Sequence, residues 1–172
     1  MSISGDLKWQ LVIRCMAKIS LNKLEGVTEM IDKFGAEADH IVEKMLHRGG
    51  MTAKEHLKDG AESKQHVNTG AMRDSMGYTL KKGYGAERYA EVYPRGTVTR
   101  TYKGRTKKTK SKKGKKYHVS NALKGFVLNY GSTKRGIERD KWFDNSADTA
   151  APHILSDMYK VFEEEIDKIA ND

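Results

Sequence analysis

The densest chemistry in this chain is cationic. Residues 100 to 116 read Arg-Thr-Tyr-Lys-Gly-Arg-Thr-Lys-Lys-Thr-Lys-Ser-Lys-Lys-Gly-Lys-Lys, ten Lys or Arg with no Asp or Glu. Arg100, Lys103, Arg105, Lys107, Lys108, Lys110, Lys112, Lys113, Lys115 and Lys116 are therefore the candidate contacts for DNA or an acidic partner. Three readings stay open. Like charges repel and resist packing, which gives a solvated, mobile tip. An arm could instead reach an acidic surface on a neighbouring protein and order on assembly. Or the segment contacts the phosphates of double-stranded DNA, strongly and without sequence choice. Tyr102 and Tyr117 flank the run without interleaving with it, which argues against a stacking platform for single strands. Removing these ten charges from a formal net charge of +9 leaves −1 for the rest of the chain. The composition is thus a near-neutral body with one cationic segment.

Other chemistry is sparse. The one cysteine, Cys15, excludes an internal disulfide and a cysteine-based zinc site within one chain, and fits a reducing cytoplasm. Of the six histidines, His40, His47, His56, His66, His118 and His153, no two form a His-Glu-x-x-His pair. His40, Glu43 and His47 share helical spacing, for which a surface position is the simpler account. No phosphate-binding Gly-Lys-Ser/Thr loop, dinucleotide fingerprint or Gly-x-Ser-x-Gly elbow occurs. No catalytic, cofactor or metal residue is expected, and the chain does not read as an enzyme. Glu163, Glu164, Glu165 and Asp167 make the last helix acidic, either for solvation or as a docking face for a basic partner.

The elements that must position the cationic segment can be read from periodicity. With 172 residues, 37% hydrophobic and 32% charged, the chain suits one folded domain with polar extensions. The apolar stretch Leu11-Val12-Ile13 meets Arg14 far too early for a signal core or membrane span, so a soluble, unsecreted protein is expected. Residues 1 to 17 read as an N-terminal extension, with a second start-like sequence at Met16. The body spans 18 to 169, with 103 to 116 as an inserted basic tip and 170 to 172 as a tail. Ile19 and Leu21 alternate with polar neighbours as in a short strand. Leu24, Val27, Ile31, Phe34, Ala38, Ile41 and Met45 fall on one helical stripe, and Gly49-Gly50 is expected to stop that helix. Ala53 to Leu57 is a short helical candidate. Tyr78 to Lys81 and Arg88 to Tyr93 read as strands around a Gly83/Gly85 turn. Thr97 to Tyr102 and Tyr117 to Val119 read as arms of a hairpin. Asn121 is the expected cap of a helix ended by Gly131. The last helix is expected to start at Ala147 or Pro152 and end at Ile169, with Leu155, Met158, Phe162 and Ile166 on its stripe. The fold class is α+β: a small antiparallel sheet packed with a long N-terminal helix and a C-terminal helix, carrying a long basic hairpin.

Three segments together resemble the Hong Kong-type phage tail-component family, the neck, tail-completion or head–tail joining proteins of tailed bacteriophages. Residues 68 to 76, Asn-Thr-Gly-Ala-Met-Arg-Asp-Ser-Met, are similar to its Thr-Gly-x-Leu-Arg-x-Ser-hydrophobic signature, with Met72 in the Leu place. Residues 126 to 133, Phe-Val-Leu-Asn-Tyr-Gly-Ser-Thr, are similar to its Val-Glu-aromatic-Gly-Thr-Ser motif, with Asn129 for Glu and Ser-Thr in swapped order. Residues 141 to 147, Lys-Trp-Phe-Asp-Asn-Ser-Ala, resemble Pro-Phe-Leu-Arg-Pro-Ala, with Lys141 where the family usually has Pro. The order of elements fits over roughly 18 to 169. The residues themselves read as structural. Gly70 and Gly131 suit sharp turns, Thr69 suits a cap, and Arg73 with Asp74 suit a surface or interface ion pair. Tyr130, Trp142 and Phe143 read as subunit-interface or core anchors.

The resemblance implies a structural virion protein without cofactors, assembled in the host bacterial cytoplasm and located in the neck. It implies a homo-oligomer, a hexameric ring around the DNA channel, that joins the connector or adaptor to the tail terminator or tail tube. Non-specific contact with double-stranded DNA in the channel is compatible with this, and no membrane is involved. The alternative, resting on the lysine run alone, is a small basic nucleic-acid-binding module.

Overall fold

A computed structural model describes residues 17–20, 38–63, 70–82 and 88–171. The architecture is α+β. Strands β1 (Ala17–Ser20), β2 (Met76–Lys82) and β3 (Arg88–Pro94) form an antiparallel sheet in the order β1-β3-β2. Helix α1 (Ala38–Ser63) packs on this sheet, and helix α5 (Trp142–Asn171) packs on α1. Between them in sequence lie α2 (Ala71–Asp74), a separate ribbon of β4 (Thr97–Thr101) and β5 (Lys116–Ser120) with a helical turn α3 (Lys107–Lys110) at its tip, and α4 (Asn121–Tyr130).

Helix α1 is the middle layer. Ile41, Met45, Leu46, Ala53, Leu57 and Ala61 on it are all buried. The inner face of the sheet follows from register: Met76 lies opposite Pro94, Tyr78 opposite Val92, and Leu80 opposite Ala90. Ala90 and Val92 are fully buried, as the period of two requires for a strand with one covered face. The two long helices run antiparallel. Lys44 bonds Glu165, Thr52 bonds Asp157, and the ring of His56 stacks on that of His153.

Gly49-Gly50 was expected to stop α1, yet the helix continues to Ser63 and takes in the separate Ala53–Leu57 candidate. The reason is packing. A Cβ on Gly49 would sit 2.8 Å from Met158 Sδ of α5, and one on Gly50 would sit 2.7 Å from the Tyr78 ring of β2. The two glycines mark close approach by two different neighbours on adjacent faces of one helix, and this contact outweighs their low helix propensity. Of the predicted stripe, Ile41 and Met45 are core, whereas Leu24, Val27, Ile31 and Phe34 lie outside the described residues. So do residues 1–16, with Cys15, and the Gly83/Gly85 turn.

Helix α5 starts at Trp142, earlier than Ala147 or Pro152, and ends at Asn171 rather than Ile169. Pro152 sits inside it. The amide that Pro152 lacks would have bonded the carbonyl of Asp148; both residues are exposed, so water can serve that carbonyl. Helix α4 is capped by Ser120, whose hydroxyl accepts from the Leu123 amide, and not by Asn121.

The polar edge of the α1–α5 interface is ionic. Glu165 accepts from Lys44 Nζ at 2.6 Å and from Lys168 Nζ at 2.7 Å. Lys168, then Lys44, hold its carboxyl below the usual carboxylate range, against the opposing effect of burial. Thr52 first, then Arg48 and Lys160, lower Asp157 in the same direction.

Two outcomes are expected. Gly50→Ala should lower the melting temperature by several degrees: Ala gains about 1 kcal/mol of helix propensity, but overlap with Tyr78 costs about 1–3 kcal/mol. A depressed carboxylate contributes stability above its unfolded pKa and loses it as pH falls through the lower folded value. Glu165→Gln should therefore reduce stability at neutral pH and make the curve flatter below the ordinary glutamate value of 4.5, measured by denaturant titration against pH.

Candidate functional site

The three motif segments meet around α4. Gly125 is the meeting point: a Cβ there would approach Pro94 Cγ at 3.3 Å, Trp142 Cζ2 at 3.6 Å and Met72 Sδ at 3.7 Å. Trp142 Nε1 donates to the Gly125 carbonyl at 3.4 Å. Met72 from the first segment and Trp142 from the third thus pack on the same residue of the helix that ends in the second.

Two buried asparagines fix this joint. Asn129 is fully buried. Its Oδ1 accepts from the Phe143 amide at 2.9 Å, and its Nδ2 donates to Asp144 Oδ1 at 3.1 Å. It thereby caps the start of α5 from a position distant in sequence, which is why that start was not legible from local pattern. Asn121 donates to the carbonyls of Arg95 at 2.8 Å and Ala71 at 3.3 Å, and accepts from Lys124 Nζ at 3.0 Å. Neither asparagine was singled out as an organising residue from sequence. The available signal was a polar amide inside the apolar run Phe126 to Tyr130.

Trp142 and Phe143 are fully buried in the chain's own core, with rings edge-to-face at 5.4 Å. Each such burial stabilises the fold by about 2–3 kcal/mol. Of the two alternatives read from the sequence, subunit interface or core, the structure places both in the core. Tyr130 is half-buried, tilted against Phe126 at 4.8 Å with the Arg139 guanidinium 5.7 Å over its ring. Arg73 pairs with Asp74 at 2.8 Å and with Glu62 at 3.1 Å at the surface. Gly70 occupies the N-cap position of α2 with φ 68°, and no side chain caps that turn; Thr69 lies outside the described residues. Gly131 ends α4 at φ 76°. Lys141 has φ 56°, a left-handed value that proline cannot adopt, so the step into α5 differs from one built on Pro.

The ten candidate cations sit on and around the second sheet. β4 and β5 pair from Thr97↔Ser120 to Thr101↔Lys116, as the hairpin reading expected. The tip is wound rather than loose. Thr106 and Thr109 form a reciprocal capping box, and amide bonds from Thr109, Lys110, Lys112, Lys113 and Lys115 reach back three or four residues. Tyr102 and Lys115 extend the ladder by one bond of 3.0 Å. The Tyr102 and Tyr117 rings stack at 4.3 Å. Arg100, Lys103, Arg105, Lys107, Lys108, Lys110, Lys112, Lys113, Lys115 and Lys116 are all exposed. At the root, the Asn121 amide donates to the Gly96 carbonyl at 3.0 Å, which ties the ribbon to α4. Lys124 on α4 is pushed below the usual lysine range, first by burial and then by the charge of Arg100.

His47 bonds Tyr78 Oη at 2.9 Å, and among the described residues no group of three or more His, Cys, Asp or Glu is placed to hold a metal ion. His66 lies outside the described residues. Glu163, Glu164 and Asp167 are exposed, while Glu165 is buried in its lysine pairs. Among the described residues no helix is long and apolar enough to cross a membrane. Comparison with family models, with curated proteins and with solved structures returned no match.

The cap by Asn129 generates a test. Asn129→Ala should cost about 1–3 kcal/mol by leaving buried amides of α5 unpartnered. Asn129→Asp should cost more at neutral pH, because it sets a second carboxylate against Asp144. Chemical denaturation of both variants measures the difference.

Proposed function

We propose that this chain is a structural virion protein of a tailed bacteriophage: a subunit of a hexameric ring in the head-to-tail neck, joining connector to tail around the DNA channel. The observation that carries this reading is the convergence of the three family-like segments. Residues 70–76 lie some fifty residues before the neighbouring segments 126–133 and 141–147, yet all three meet on or around α4 through Gly125, Asn121 and Asn129. The order of elements supports the same reading: short strand, long helix, glycine turn, strands, aromatic-glycine helix end, C-terminal helix.

In this reading the work of the protein is mechanical. Trp142 and Phe143 lock α5 to the joint from inside, so the surfaces left for neighbours are elsewhere. Exposed Met51, Leu123 and Tyr159 offer apolar contact, the acidic outer turn of α5 offers negative charge, and the ribbon offers positive charge. A ring with heterologous contacts needs two different faces on each subunit, and a protein with opposite charges on separate elements has them.

Light scattering across concentration and salt, with a neck-containing particle as recruitment partner, tests the proposal. A hexamer, alone or on the particle, is expected. A chain that stays monomeric at high concentration and is not recruited overturns the ring reading and leaves the nucleic-acid-binding module as its replacement.

A further inference from the structure

The body and the ribbon differ in how far positive charge is paired. In the body, Lys44, Arg48, Lys54, Lys58, Arg73, Lys81, Arg88, Arg139, Lys160 and Lys168 each lie within ion-pair distance of a carboxylate. Among the described residues, no carboxylate pairs with any of the ten ribbon cations. The sequence leaves none nearby: from Val92 to Ile137 there is no Asp or Glu. The tip nevertheless holds a defined fold, with a capping box, a Tyr–Tyr stack and ladder bonds closing its base. Holding ten like charges together at one folded ribbon costs electrostatic free energy that no carboxylate among the described residues offsets. We infer that the β4–β5 ribbon and its α3 tip form a docking arm for the phosphate backbone of double-stranded DNA.

Four features favour this occupant. The charge demands a polyanion. A lipid surface is disfavoured because the large apolar side chains that are exposed, Met51, Leu123 and Tyr159, lie outside the ribbon and leave it nothing to insert. Stacking of single-stranded bases is disfavoured because Tyr102 and Tyr117 stack on each other, with Lys112 Nζ 5.7 Å over the Tyr102 ring. Finally, the remaining groups suit phosphate oxygens. Register places Thr97, Thr99, Thr101, Lys116, His118 and Ser120 on one face, all hydrogen-bonding side chains without a carboxylate.

Eight of the ten cations are lysines. An ammonium is a hydrated point charge without the bidentate geometry of arginine. Such contacts hold the duplex close but fix neither register nor sequence, so the DNA can slide past the arm.

The arm does not depend on the ring reading, and one experiment separates them. The full chain is titrated onto a labelled mixed-sequence DNA duplex at several salt concentrations, with fluorescence anisotropy as readout. Binding should weaken by roughly 1,000-fold between about 50 and 200 mM salt. The variant with Lys107, Lys108, Lys110, Lys112, Lys113 and Lys115 all changed to Gln should keep its melting temperature and lose at least about 100-fold in affinity at low salt. Lys54→Gln with Lys58→Gln, on the body, should bind as the parent does. If the six-fold variant does not fold, single Lys→Gln changes in the tip should each lower the salt slope by about one. Unchanged binding or slope in these variants overturns the arm. So does polyglutamate or a single strand of equal length binding at least as tightly as the duplex. A hexamer that ignores duplex DNA overturns this inference alone, and a monomer that binds it overturns the ring alone.

Discussion

The body depends on how closely α1 can be approached from two sides. This helix lies between the three-stranded sheet and α5, and at Gly49 and Gly50 it carries no side chain to hold either neighbour away. Met158 fills the space on one side and the Tyr78 ring fills it on the other. Packing at this density transmits position: once α1 is fixed, the sheet's inner face of Tyr78, Ala90 and Val92 and the long face of α5 have one fit each. The polar contacts at the edge, the ion pair of Lys44 with Glu165 and the hydrogen bond of Thr52 to Asp157, add direction to that fit more than strength.

A second constraint is polar and sits at α4. Only ten residues long, this helix touches three parts of the chain. Asn121 holds the carbonyls of Ala71 and Arg95, Gly125 admits Trp142, and Asn129 caps α5. Buried amides of this kind are costly unless each donor and acceptor is met, and here the pairing sets a unique geometry. The ribbon inherits that geometry, because its root is bonded to Asn121 through Gly96. The arm is therefore aimed by the body. The two features that bear on function, the motif joint and the cationic ribbon, share one helix.

Charge is partitioned by element. The body pairs ten of its cations with carboxylates, whereas the ribbon pairs none of its ten among the described residues. Only the ribbon gathers unpaired like charge in this way. The tip is ordered despite that repulsion, through the capping box of Thr106 and Thr109.

The sequence by itself determined a good deal. Strand-prone residues at Tyr78 to Lys81 and Arg88 to Tyr93 on either side of a glycine turn placed two strands, and the β-prone flanks of the lysine run placed the hairpin, because these signals are local. The α+β class and the concentration of charge were equally legible. Three things were decided only by tertiary structure. Gly49-Gly50 reads locally as a stop, and only the presence of Met158 and Tyr78 on either side turns it into a contact. The start of α5 at Trp142 depends on a cap from Asn129, which no local pattern could assign. Trp142 and Phe143 were legible as anchors, but whether they faced a partner or the chain's own core depended on where Gly125 and α4 came to lie. Local sequence fixes which backbone conformations are cheap; which groups meet across the chain is settled by packing, where a missing Cβ or a single amide can outweigh propensity.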